Sequence, residues 1–199
     1  MASPGQLVQV MADALGISRA AVTQYDRVLA ENGLRTKAGR GRSAAQVTST
    51  DAANLLIAIA GAPPSGLPAK DAVRICKNFS SLSHIEGNWQ ATNLSKLGLT
   101  KLARLPDAHS FGSALSALIG SVRKGELYEM PADEIWVNFV GPKSSADIVI
   151  RSDELNLELR FLYRNVRKPG GLFDGNLFLR STVGIVTIHA LGQLVLGSD

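Results

Sequence analysis

The sequence predicts an α+β protein, in which a helical N-terminal unit precedes a mixed helical and antiparallel-sheet region. Three observations lead to this prediction. Residues 7–60 repeat apolar side chains at the spacing of amphipathic helices. Residues 61–68 contain three prolines and two glycines, which is typical of a linker. Beyond residue 134, apolar and polar residues alternate, as they do in strands that bury one face.

Two short helices with a tight turn between them are predicted near the N-terminus. The first covers residues 7–15 and ends at Gly16, because glycine readily adopts the left-handed conformation that closes a helix. Ser18 is placed as the N-cap of the second helix, residues 19–32. Apolar stripes on the two helices would face each other across this turn.

A third helix is predicted for residues 52–60. Thr48 and Asp51 precede it with the spacing of a capping box, in which each residue caps the other's backbone. Its apolar residues would pack under the first two helices and close a small N-terminal core. The sequence therefore predicts a first domain at residues 1–61, a linker at 62–68 and a second domain at 69–199.

The spacing of residues in the first two helices resembles the helix-turn-helix of bacterial and phage DNA-binding proteins. In that motif an alanine lies four residues before the turn glycine, and hydrophobic residues follow it at fixed positions. The matching residues are Ala12, Gly16, Ile17, Val22 and Tyr25, of which Tyr25 stands where the family usually has an aliphatic residue. The resemblance covers about residues 1–61 and implies binding to double-stranded DNA.

A basic loop, residues 34–43, follows the second helix. It carries four positive charges within eight residues, no acidic residue, and two glycines that allow sharp turns. It resembles the β-hairpin wing of winged helix-turn-helix proteins. By itself a solvated basic loop would be the simpler interpretation, but beside the helix pair it suits contact with phosphates or the minor groove. The first domain is therefore expected to be a winged helix-turn-helix.

The charge distribution supports a polyanionic partner for the N-terminal unit. Residues 1–50 hold six basic and three acidic residues, which is +3 of the total net charge of +4. The remaining chain is nearly neutral, so basicity is a property of the N-terminal unit.

The resemblance implies a set of DNA-contacting residues on two segments. Those on or near the exposed face of the second helix are Ser18, Arg19, Ala20, Thr23, Gln24 and Arg27. The N-terminal end of such a helix reads base edges, and Arg19 can pair with guanine and Gln24 with adenine. The basic loop supplies the residues expected to hold phosphates or enter the minor groove, namely Arg35, Lys37, Arg40 and Arg42.

Residues 69–199 are expected to form an α+β domain that dimerises or binds a partner. Helices are predicted at 69–82 and 110–122, and strands at 134–140, 147–151, 155–161 and 177–180. Residues 83–108 are regular only in short stretches, so they contain either a hidden short helix or a loop that serves a partner.

The last apolar segment, residues 183–196, fits two patterns. Its early β-branched residues favour a strand, whereas Ile185, Ile188 and Leu191 recur at helical spacing. We predict a helix, with Ser181 or Thr182 as its cap.

No catalytic constellation is present in the sequence. The three histidines lack the spacing of metal ligands, and the single cysteine allows neither an intramolecular disulfide nor a zinc ribbon. Phosphate-binding loops and nucleophile elbows are also missing. We therefore expect no enzymatic activity, no cofactor and no metal.

The sequence also predicts where the chain resides. It shows no apolar signal segment at its N-terminus and no apolar stretch of the about 20 residues that span a membrane. A cytoplasmic protein without membrane association is expected.

Two functions from different classes follow from these observations. The first is a sequence-specific transcriptional regulator of phage or prophage type, acting as a homodimer whose C-terminal domain can also bind a protein partner. The alternative is a phage DNA-packaging component similar to a small terminase subunit, which would form a ring. An enzyme with a DNA-targeting domain is disfavoured by the missing catalytic cluster.

Overall fold

The fold is mixed α+β, as a computed structural model of the chain shows for residues 2–37, 46–62, 69–87, 91–122, 134–141, 143–165 and 179–195. Within these residues the helices are α1 (Pro4–Leu15), α2 (Arg19–Glu31), α3 (Ser49–Ala60), α4 (Ala72–Ser80), α5 (Ala91–Lys96), α6 (Thr100–Ala103), α7 (Phe111–Val122) and α8 (Ile185–Val195). The strands are β1 (Ser83–Gly87), β2 (Glu134–Gly141), β3 (Ser145–Ser152), β4 (Leu157–Arg164) and β5 (Leu179–Gly184). The predicted α+β class is confirmed.

The five strands form one antiparallel sheet in the order β1-β4-β3-β2-β5. Alternation along β4 buries Leu159, Phe161 and Tyr163 and leaves the residues between them at least partly exposed. The predicted alternation is confirmed, but the strand begins at Leu157. Leu155 lies in the preceding turn and is 39% exposed.

Aromatic side chains join the inner face of the sheet to the helices. Phe139 of β2 makes edge-to-face contacts with Phe79 of α4 and Phe111 of α7, each with ring centroids 5.5 Å apart. Phe111 also lies 5.3 Å from Tyr163 of β4. Edge-to-face contacts fix ring orientation in addition to burying area, so α4 and α7 are held in register on the sheet.

Helix α3 lies at the centre of the helical layer. Leu55, Leu56 and Ile57 are fully buried, and α3 contacts α2, α4, α7 and α8. The hydroxyls of Ser49 and Thr50 both hydrogen-bond Ser116 of α7, at 3.2 and 3.0 Å. Helices from both sides of the predicted linker thus share one hydrophobic core.

The predicted division into two domains therefore gains no support from the packing. Residues 63–68 of the linker lie outside the described residues, so the boundary itself stays a prediction.

The two ends of the described chain also pack together. Helix α1 contacts α8, and the Thr187 hydroxyl donates to the Ala14 carbonyl over 3.4 Å. Helix α8 in turn lies against α7 at Gly192, where a Cβ would come within 2.2 Å of the Val122 side chain. Glycine permits this close approach of the two helices.

Strand β1 was not predicted, because its sequence is short and polar. Its position is set by long-range bonds: the His84 amide donates to the His109 carbonyl over 3.1 Å, and the Phe111 amide to the Leu82 carbonyl over 2.8 Å. The rest of residues 83–108 contains the short helices α5 and α6, so a hidden helix was the correct alternative.

The last apolar segment contains both predicted patterns in succession. Strand β5 runs to Gly184 and α8 begins at Ile185. The predicted helix is confirmed for its larger part, and the β-branched start belongs to the sheet. Ser181 and Thr182, the predicted caps, lie within β5.

A buried histidine–tyrosine pair lies where β1 meets β4. His109 Nδ1 is 2.7 Å from the Pro106 carbonyl, which can only accept, so this nitrogen carries the proton. His109 Nε2 then accepts from the Tyr163 hydroxyl over 2.9 Å. Burial lowers the pKa of His109, and the hydrogen bond to Pro106 offsets this only in part. Burial also raises the pKa of Tyr163.

The close contact between α7 and α8 predicts that Gly192→Ala destabilises the protein. The added methyl group would overlap Val122, and overpacking of this kind costs about 1–3 kcal/mol. The higher helix propensity of alanine offsets about 1 kcal/mol of that loss. Urea denaturation measures the change, with Gly184→Ala as a control because a Cβ there meets open space. A stability gain in Gly192→Ala would contradict the packing.

The lowered pKa of His109 predicts that this site loses stability in acid. Its pKa is depressed in the folded state, so the contribution of the neutral ring is complete above the unfolded value of about 6.5. That contribution is lost as the pH falls from there through the folded pKa. We expect the free energy of unfolding of His109→Phe to fall less than that of the parent protein between about pH 7.5 and about pH 5.5.

Denaturation of the two proteins at several pH values tests this. If His109→Phe keeps the parental pH dependence, the buried pair does not cause the loss of stability in acid.

Candidate nucleic-acid interface

The turn between α1 and α2 is formed as the sequence predicts. Gly16 closes α1 in the left-handed conformation with φ of 65°, and the Ile17 amide donates to the Ala12 carbonyl over 3.1 Å. Ser18 is the N-cap of α2 and accepts from the Ala21 amide over 3.2 Å. Two local signals, a glycine and a capping serine, thus determine the angle between the helices.

Helix α2 separates buried from exposed residues along its length. Val22, Asp26 and Leu29 are buried, facing the neighbouring helices. The residues predicted to contact DNA from this helix are all exposed: Ser18, Arg19, Ala20, Thr23, Gln24 and Arg27. The structure brings them together as one continuous surface, which we call the α2 face.

The polar groups of the α2 face have only weak partners. Arg27 pairs with Glu31 over 2.8 Å, but both side chains are more than half exposed, so the pair adds little stability and can be exchanged. Thr23 donates its hydroxyl to the Arg19 carbonyl over 2.8 Å. Within the described residues, the Gln24 amide makes no hydrogen bond. A ligand can therefore bind these groups without breaking a strong interaction within the protein.

Arg35 has a different environment from the other predicted DNA contacts. Its Nε lies 2.6 Å from Asp26 Oδ1, and the two side chains are only 12% and 10% exposed. Its Nη1 donates to the Thr36 carbonyl over 2.7 Å. Burial raises the pKa of Asp26, Arg35 opposes that rise, and Asp51 adds to it. The Arg35 guanidinium therefore fixes the chain after α2, and its predicted role on DNA stays untested.

Helix α3 anchors the start of the basic loop. Asp51 Oδ1 accepts from the Thr36 amide over 2.7 Å, and Asp51 Oδ2 accepts from the Thr48 amide over 2.9 Å. Asn54 donates to the Leu34 carbonyl over 2.8 Å. The predicted capping box is confirmed, and the same carboxylate also ties the loop to α3. Sequence patterns show the first role of Asp51 but carry no signal for the second.

Beyond the basic loop, the described chain resumes at residue 46, and the Val47 amide donates to the Ala2 carbonyl over 3.1 Å. Lys37 is exposed, and its Nζ lies 3.5 Å from the Glu31 carbonyl. Arg40 and Arg42 lie outside the described residues. Neither described flank of residues 38–45 is in a strand, so the predicted wing is not confirmed.

Asp26 supports the candidate interface from below, and the sequence analysis does not predict this role. It lies four residues after Val22 and three before Leu29, on the apolar side of α2. A charged residue at that spacing signals a buried partner. The basic loop supplied the partner, Arg35, from nine residues downstream.

The described part of the chain holds no group of three or more residues able to ligate a metal. Among its helices none has the length and apolar character to cross a membrane.

The anchoring of the loop predicts that Asp51→Ala lowers stability. The substitution leaves two partly buried amides, those of Thr36 and Thr48, without their acceptor, which costs about 1–3 kcal/mol. Asp13→Ala is the matched control, because Asp13 is exposed and accepts only from Gln9. Denaturation gives the free energies, and hydrogen exchange at the Thr36 amide should accelerate only in Asp51→Ala. Equal losses in both variants would contradict this role.

Comparisons with known proteins do not connect the chain to a family. No family model matches it, and neither a curated protein nor a solved structure does.

Proposed function

We propose that the protein is a sequence-specific regulator that binds double-stranded DNA with the α2 face in the major groove. The observation that supports this most is the exposure of all six predicted residues of α2 on a helix whose other side is buried. A helix that reads bases must be exposed along one side and held rigidly along the other.

The chemistry of the α2 face suits base readout. Arg19, in the first turn, can donate two hydrogen bonds to guanine, and Gln24 can pair with adenine through its amide. Ala20 is small and apolar, as required for contact with a thymine methyl group. The capped N-terminus at Ser18 adds the partial positive charge of the helix dipole, which favours a nearby phosphate.

The segment after α2 would supply affinity rather than specificity. Lys37 is exposed and its Nζ lies 3.5 Å from the Glu31 carbonyl at the end of α2, and Arg40 and Arg42 follow within five residues. Contacts with phosphates give sequence-independent affinity that weakens as salt rises. Arg35 is left out of this group because its guanidinium is engaged with Asp26.

The proposal includes a homodimer, because one helix-turn-helix unit reads only a few base pairs. Two copies would place their α2 helices one turn of DNA apart, about 34 Å. Light scattering of the full chain measures the mass. A dimer agrees with a regulator, whereas a ring of subunits would favour the packaging alternative.

Selection from random DNA at a stated salt concentration tests the function directly. A palindromic consensus is the expected result. Absence of any enriched sequence, together with salt-independent binding, would overturn the proposal.

The variant Gln24→Ala should then lose specificity. We expect a loss of about 1–3 kcal/mol on the selected site and relaxed preference at one base position. Binding to random DNA should barely change. Gln193→Ala removes the same amide from an exposed position on α8 and should leave both affinities unaltered. Equal losses on selected and random DNA would show that Gln24 does not read a base.

A further inference from the structure

A pocket lies between the end of α3, helix α4 and the edge formed by β2 and β5. Its volume is about 200 Å³. Residues 60–62, Arg74, Asn78, Ser144 and Arg180 form its rim, and Ile75, Phe79 and Phe139 contribute to its floor. The α2 face takes no part in it.

The floor of the pocket is apolar and preformed. Ile75 and Phe79 are each 4% exposed, and Phe139 is 2% exposed. The edge-to-face contact of the two phenylalanines, at 67°, fixes the rings against each other. The apolar floor is therefore fixed before any ligand enters.

The rim of the pocket is positive. Among the described residues, two arginines line it and no acidic residue does. Arg74 is held by Asp71 over 3.1 Å, whereas Arg180 is exposed and has no ion pair within the described residues. The end of α3 opposes an anion with a partial charge of about half a unit. The Ser181 hydroxyl donates to the Ala60 carbonyl there and reduces that effect.

We propose that this pocket binds a small aromatic carboxylate. The ring lies in the pocket above its apolar floor, and the carboxylate pairs with the Arg180 guanidinium, whose planar fork matches it. The size agrees with the volume, since a cavity of about 150 Å³ holds a benzene ring. This inference does not rest on the proposed function, and its test contains no DNA.

The test compares two probes of one shape, 4-fluorobenzoate and 4-fluorobenzamide, by fluorine NMR titration of the full chain. The carboxylate should bind at least about tenfold more tightly than the amide, which is about 1.4 kcal/mol. Arg180→Gln should remove this preference. Arg164→Gln removes the same charge from an exposed residue of the sheet that does not line the pocket, and should retain it.

A second pair of variants, both at exposed positions, tests whether the probe binds in this pocket. Asn78→Trp fills the pocket from an exposed position on α4, and Lys77→Trp places the same side chain on the neighbouring exposed residue outside it. Only Asn78→Trp should abolish binding of 4-fluorobenzoate. The proposal is overturned by equal affinity for the two probes, by binding that survives Asn78→Trp, or by no saturable binding up to about 10 mM.

Discussion

Helix α3 has apolar side chains on all sides, so it is stable in water only when other elements surround it. Its neighbours come from the whole chain: α2 before it, and α4, α7 and α8 after it. Leu55, Leu56 and Ile57 each have no accessible surface, and truncating a fully buried leucine or isoleucine typically costs about 2–5 kcal/mol. The position of each surrounding helix therefore depends on the same buried surface.

The few polar side chains of α3 act at the boundary of that core. Asp51 and Asn54 hold residues 34–36, and the ion pair between Asp26 and Arg35 fixes the same segment from α2. A buried ion pair contributes little net stability, because desolvation offsets the attraction between the charges. Here the ion pair fixes the position of residues 34–36 relative to α2. Moving the segment away from α2 would leave a buried charge without its partner.

Local signals were sufficient for much of the candidate interface and for most of the fold. Gly16, Ser18 and Thr48 act through their own backbone neighbours, so the turn and the start of α3 were predicted from a few residues. Strand β1 could not be predicted, because its backbone bonds go to β4 and to residues near α7. The sequence does not distinguish Arg35 from the other basic residues of the loop, because net charge does not show which guanidinium is buried. The pocket, too, has no sequence signal, since its walls come from four separated segments.

The contact between α1 and α8 also affects how the chain is made. Ala14 and Thr187, which join these helices, are 173 residues apart. At about 5–20 residues per second, the ribosome needs roughly ten to thirty seconds to add the second after the first. Throughout that interval the buried side of α1 lacks its final neighbour, so the nascent chain presents an incomplete apolar surface. Helix α1, which packs against α2, is encoded early but gains its last neighbour only when α8 has been synthesised, and chaperones have that whole period in which to bind.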